Sequence, residues 1–155
     1  MMENVLIVDD EDDILHLMAE AISRWGYNPI IAHDGQDAIQ KVEELPVDLI
    51  LTDVRMPKVD GISLLQKVKE INPDTSVIVF TGYPAIQSAV DALKSGAYDY
   101  LVKPVDLAEL KNKIEKAIQA KRLQGTYGVL KSINWALIIS IPLWFLLAFI
   151  LVRTM

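Results

Sequence analysis

Five short apolar runs alternate with five stretches of helical spacing, and that alternation leaves the chain few architectures. The runs cover residues 5–8, 29–32, 47–51, 76–80 and 98–102. Each is rich in Val, Ile or Leu and too short for a helix. Continuous apolar character over four or five residues predicts strands covered on both faces, as in a parallel sheet. The intervening stretches carry stripes at helical spacing. Ile14, Leu17, Met18, Ala21 and Ile22 predict one apolar face, with Gly26 as its stop. Ala38, Ile39 and Val42 form a second stripe, and Ile62, Leu65, Val68 and Ile71 a third, opened by Asp60-Gly61. Pro84 suits a first helical turn, followed by Ile86, Ala89, Val90 and Leu93 and closed by Gly96. Leu107, Leu110, Ile114, Ala117 and Ile118 make the fifth, with Asp106 as N-cap. Five βα units with short connections predict an α/β fold, (βα)5, with a doubly wound parallel five-stranded sheet.

Composition divides the chain in two. None of the 21 acidic residues and only Arg153 of the 15 basic ones lie past residue 132. The first 132 residues therefore carry 14 basic against 21 acidic side chains, a net of −7. That balance argues against a nucleic-acid partner, because phosphate contacts require Lys and Arg. There is no cysteine, which removes disulfides, zinc–thiolate sites and thiol catalysis. The N-terminal MMENVLIVDDEDD lacks the basic and cleavable apolar regions of a secretory signal.

Sites in doubly wound sheets sit beyond the C-terminal ends of the strands. The first strand leads into Asp9-Asp10, the third into Asp53, the fourth into Thr81 and the fifth into Lys103. Alone, each has an ordinary explanation: a cap, a turn former, a solvated charge. Together they put three carboxylates, a hydroxyl and an ammonium on one edge. Such a carboxylate cluster is repulsive unless a cation joins it, and oxygen-only donors suit a hard metal such as Mg2+. His16 and His33 are expected away from that edge, as surface residues.

The segments LIVDDEDD, LTDVRMPKVDG, VFTGYP and YDYLVKP, in this order, resemble the receiver domain of bacterial two-component response regulators. The resemblance covers about residues 3 to 122. The segment FTGYPAIQSAVDALKSGAYDYLVKP looks most like receivers joined to enhancer-binding transcription activators. The resemblance implies a flavodoxin-like fold and phosphorylation of Asp53 by a phosphohistidine on a partner, a sensor histidine kinase or histidine phosphotransfer protein. It implies Mg2+ held by Asp10, Asp53 and the backbone carbonyl of Arg55, with Asp9 acting through a coordinated water. Lys103 and Thr81 would contact phosphoryl oxygens, Gly82 would leave its N–H accessible, and the Lys103–Pro104 bond would be cis. Tyr100 would turn inward as Thr81 moves, carrying the signal to the fourth and fifth helices, where pairing with a second copy is possible. Arg55 and Tyr83 would shield the acyl phosphate and slow its hydrolysis. No catalytic turnover is expected beyond the domain's own phosphorylation and dephosphorylation. Two other functions compete: a scaffold that is never phosphorylated, and an aspartyl-phosphate hydrolase. The hydrolase would need an acidic pair after Lys103, where only Asp106 stands.

Residues 133–152 read INWALIISIPLWFLLAFILV, without one charged side chain. As a helix they span about 30 Å, the thickness of a hydrocarbon core. Thirteen are Leu, Ile, Phe or Val, which favours insertion by roughly 4–8 kcal/mol before position is weighed. Lys121, Arg122 and Lys131 precede the span and only Arg153 follows, so the positive-inside rule keeps the N-terminal part in the cytoplasm. The expected organisation is a receiver domain over 1–123, a linker over 124–132 and a transmembrane helix over 133–152. No separate output domain is expected. The protein would be a single-pass inner-membrane protein in contact with lipid.

Overall fold

A computed structural model describes residues 2–82 and 86–123 of the chain. Met1–Lys121 forms one compact unit, and a second begins at Arg122. The expected linker and transmembrane helix, together with Tyr83 and Pro84, lie outside the described residues. Among the described residues no helix is long and apolar enough to cross a membrane.

Elements alternate in the expected order: β1 (Asn4–Val8), α1 (Asp12–Arg24), β2 (Asn28–Ala32), α2 (Gly35–Glu44), β3 (Leu49–Asp53), α3 (Gly61–Ile71), β4 (Ser76–Thr81), α4 (Ile86–Lys94) and β5 (Asp99–Val102). A last helix, α5, covers residues 107–123 of the described part. All strand pairs are parallel, in the order β2-β1-β3-β4-β5. The chain first moves outward from β1 to β2, then returns past β1 to β3 and continues the other way. That reversal opens a crevice between β1 and β3 at the strands' C-terminal edge.

The strands bury both faces by alternation. Val5, Ile7, Leu49, Leu51, Ile78, Phe80 and Leu101 face Leu15, Met18 and Ile22 of α1 and Leu110, Ile114 and Ile118 of α5. Leu6, Val8, Ile50, Val77 and Val79 face Ala38 and Val42 of α2, Leu64, Leu65 and Val68 of α3, and Ala92 of α4. Each fully buried Leu, Ile or Phe contributes about 1.5–3 kcal/mol relative to exposure, so two complete layers hold the sheet edge rigid. Helix ends follow local chemistry. Asp34, Asp60 and Asp106 accept N–H bonds from the first turns of α2, α3 and α5. Gly26 (φ +88°) and Gly96 (φ +95°) take left-handed conformations just past α1 and α4.

Several boundaries and faces differ from expectation. β3 runs from Leu49 to Asp53, two residues later than its apolar run. Val47 is buried in the core, but Asp48 turns the chain by bonding the Asn4 backbone in both directions. Apolar character marked burial there, not strand pairing. On α1 the expected Met18, Ala21 and Ile22 are buried together with Leu15, whereas Leu17 is 57% exposed; Leu15, Met18 and Ile22 set the face by their i, i+3, i+7 spacing. On α4, Ala92 is buried and Leu93 exposed, and Leu107 at the start of α5 is exposed too. His16 and His33 are exposed, as expected, but His33 directly follows the last residue of β2 and so stands at the strand-end edge, with Nδ1 3.1 Å from Asp12 Oδ1.

Candidate functional site

Strand register assembles the site. Val8 pairs with Thr52, so Asp9 and Asp53 follow side by side on adjacent strands. Asp53 pairs with Phe80, and Thr81 with Val102, which brings Thr81 and Lys103 to the next rung. The Lys103 N–H donates to the Thr81 carbonyl at 2.8 Å and extends the β4–β5 ladder by one residue.

The side chains then meet. Asp9 is fully buried and Asp53 and Thr81 nearly so. Lys103 Nζ donates to Asp9 Oδ2 at 2.9 Å and to Asp53 Oδ2 at 2.6 Å. The remaining oxygens are held by backbone: Glu11 N–H donates to Asp9 Oδ1 and Arg55 N–H to Asp53 Oδ1, both at 3.0 Å. Asp53 thus has one oxygen fixed by its own loop and the other turned to the shared ammonium. Burial is the largest influence on Lys103 and works against its charge. Hydrogen bonds and attraction from Asp53 and Asp9 outweigh it and hold Lys103 above its ordinary value. The Lys103–Pro104 peptide bond is cis. Gly82 is exposed beside the lysine stem, and a Cβ there would lie 3.9 Å from Lys103 Cδ.

The other expected residues sit further out. Asp10 and Arg55 are exposed. Tyr100 of β5 is 37% exposed, with Lys113 Nζ 5.9 Å from its ring centre. Among the described residues, no three His, Cys, Asp or Glu side chains form a group that could hold a metal ion; Lys103 supplies the counter-charge to the two buried carboxylates. Asp9, Asp10, Asp53 and the Arg55 carbonyl nonetheless offer only hard oxygen donors at one strand edge, a set that suits Mg2+ chemically.

Two structural roles at the site were not foreseen. Gly61 approaches the Asp53 backbone so closely that a Cβ would lie 2.1 Å from the Asp53 carbonyl oxygen. In the sequence it registers only as the residue after a helix cap. Thr52 is fully buried and its hydroxyl donates to that same carbonyl at 3.1 Å. A polar residue at the end of an apolar strand was the one available signal. Beside Lys103 lies an apolar groove of about 590 Å3 lined by Ile14, Leu17, Met18, Pro104, Val105 and Leu107.

The family model of the response regulator receiver domain matches residues 5–115. The transcriptional regulatory protein ZraR of Salmonella typhimurium is 39% identical over 122 residues, covering 79% of this chain and 28% of that protein. The regulatory protein AtoC of Escherichia coli is 35% identical over 123 residues, covering 79% of this chain and 27% of its own. The chain thus spans little more than a quarter of the length of these curated relatives. A crystal structure of a response regulator receiver domain protein from Clostridium thermocellum superposes with a TM-score of 0.76 at 32% identity, covering 79% of this chain and 99% of that one. The structure of NtrX from Brucella abortus gives a TM-score of 0.79 at 30% identity, covering 84% of this chain and 30% of that one.

Proposed function

This chain belongs to the response regulator receiver domain family, and from that premise we propose that it accepts a phosphoryl group on Asp53 from a sensor histidine kinase or histidine phosphotransfer protein. The observation that carries this reading is the Asp53 carboxylate itself: buried, held by the Arg55 N–H at one oxygen, and 2.6 Å from the Lys103 ammonium at the other. In the reaction an Asp53 oxygen attacks phosphorus, the P–N bond to the donor histidine breaks, and the imidazole leaves with the electron pair. The chain's own residues orient the nucleophile and balance charge, since phosphoryl transfer depends mainly on positioning and electrostatics. Lys103 passes from the Asp53 carboxylate to a phosphoryl oxygen, and Thr81 donates a hydrogen bond to another. Asp10, Asp53 and the Arg55 carbonyl would hold Mg2+, with Asp9 behind them; the ion supplies positive charge as two anions approach.

Movement of Thr81 toward the phosphoryl group makes room for Tyr100 to turn from its exposed position. The α4–β5–α5 face then changes shape for a partner or a second copy of this chain. A donor protein finds an apolar footing in the groove bordering Lys103. Residues 1–123 form the receiver, 124–132 a linker and 133–152 a membrane anchor, placing the domain at the cytoplasmic face of the inner membrane. Its support is the uncharged twenty-residue run and the excess of basic residues before it. Tethering raises the effective concentration of the domain near membrane-embedded kinases.

The test is acetyl phosphate treatment with and without Mg2+, followed by mass spectrometry of the modified peptide. Mg2+-dependent, alkali-labile modification of Asp53, abolished in Asp53→Asn, supports the reading. An unmodified wild-type chain overturns it in favour of a scaffold. Steady turnover of a generic phosphate ester would instead support a hydrolase.

A further inference from the structure

We infer that the N-terminus of α2 is a positioning clamp for the phosphoacceptor, acting through the loop between β3 and α3. This inference rests on the assignment of Asp53 as phosphoacceptor. The loop leaves the sheet at Asp53 and returns at Gly61, so its path fixes where the Asp53 backbone sits. At the return, Gly61 N–H donates to the Val54 carbonyl at 3.0 Å, and its Cα packs on the Asp53 carbonyl too closely for any side chain. Asp60 then locks the first turn of α3 through the Ile62 and Ser63 N–H groups.

Midway, α2 grips the loop at two consecutive residues. Lys58 Nζ lies 2.7 Å from Asp34 Oδ2, and Lys58 is the described non-glycine residue held at positive φ, +66°. Side chains avoid that conformation unless surrounding structure imposes it. Val59 sits directly on Gly35, where a Cβ would come within 2.7 Å of Val59 Cβ and 2.8 Å of its carbonyl oxygen. Asp34 is itself fixed, because its other oxygen caps α2 through the Asp37 N–H at 2.8 Å. The Lys58 hydrogen bond and that cap both hold the Asp34 carboxyl below its usual range. The ion pair and the Val59 contact therefore pin the loop from outside, while Gly61 and Thr52 pin it at Asp53. Lys58, Asp34 and Gly35 are positioning residues: none touches the Asp53 carboxylate.

The experiment compares the full chain with Asp34→Asn, Lys58→Gln and Lys58→Arg. Asparagine keeps the cap but removes the charge, so α2 stays intact. The rate of Asp53 labelling by acetyl phosphate should fall about two- to fivefold in Asp34→Asn and Lys58→Gln, the size expected from one exposed ion pair, and Lys58→Arg should restore it. Thermal unfolding of the same samples shows what fraction is folded. Equal rates in all variants overturn the inference while leaving the phosphoacceptor assignment intact. So does a rate loss that only follows the unfolded fraction, or one that Lys58→Arg fails to restore. A wild-type chain that takes up no phosphoryl group overturns the parent assignment and the clamp with it.

Discussion

At Lys103 two opposing effects meet. Burial works against the ammonium, and Asp53 and Asp9 outweigh it. Because its pKa is raised on folding, its stabilising contribution is complete below the ordinary lysine value and is lost as pH rises through the raised one. Lys103→Met leaves two buried carboxylates without a counter-charge, which should cost about 3 kcal/mol near neutral pH by denaturant unfolding. The gap to the wild type should narrow once pH passes the ordinary lysine value of 10.5, where the unfolded chain gives up this proton before the folded one does. Gly61→Ala tests a different constraint. A methyl group 2.1 Å from the Asp53 carbonyl must displace the loop. Stability should fall by about 1–3 kcal/mol, and Asp53 labelling should slow in the fraction that remains folded. Arg55 is exposed next to the phosphoacceptor; Arg55→Ala should shorten the half-life of the acyl phosphate, measured by release of inorganic phosphate.

Among the elements, α1 and α5 carry consequences beyond packing. Leu17 and Leu107 belong to apolar stripes yet stay exposed, and both line the groove beside Lys103. A small phosphodonor needs no such surface, whereas a protein donor does. Leu17→Asp should therefore slow transfer from a phosphorylated histidine kinase by on the order of tenfold, about 1.4 kcal/mol, and leave labelling by acetyl phosphate unchanged. Equal loss with both donors would place Leu17 outside any docking role. At the head of α5, Asp106 accepts N–H bonds from Ala108 and Glu109. Removing that cap in Asp106→Ala should cost about 1 kcal/mol, seen as a lower urea midpoint with an unchanged slope.

For the whole molecule, the sharp change in composition at residue 133 is the main feature. An acidic unit held by two apolar layers precedes a run with no charged side chain. Truncation after Gln124 should yield a soluble, folded fragment that still labels at Asp53, while the full chain should sediment with membranes and resist carbonate extraction. A full chain that stays in the soluble fraction would remove the anchor and leave the phosphoacceptor chemistry untouched.

Apolar runs four or five residues long, alternating with stripes at helical spacing, were enough to specify the strand count and the parallel sheet, because continuous apolarity demands cover on both faces. Chain order alone likewise put Asp9, Asp53, Thr81 and Lys103 at one edge, since parallel strands all end there. Leu17, Leu93 and Leu107 show the limit of that logic: a stripe tells which side chains avoid water, but the neighbouring element decides which of them it covers. Val47 shows it again, being buried without pairing. The bond of Lys103 to both carboxylates, the approach of Gly61 to Asp53 and the hold of Asp34 on Lys58 join residues 24 to 94 positions apart or depend on an approach too close for a Cβ. Distances of that kind arise only when the two core layers close and set the loops against one another, so tertiary packing alone decided them.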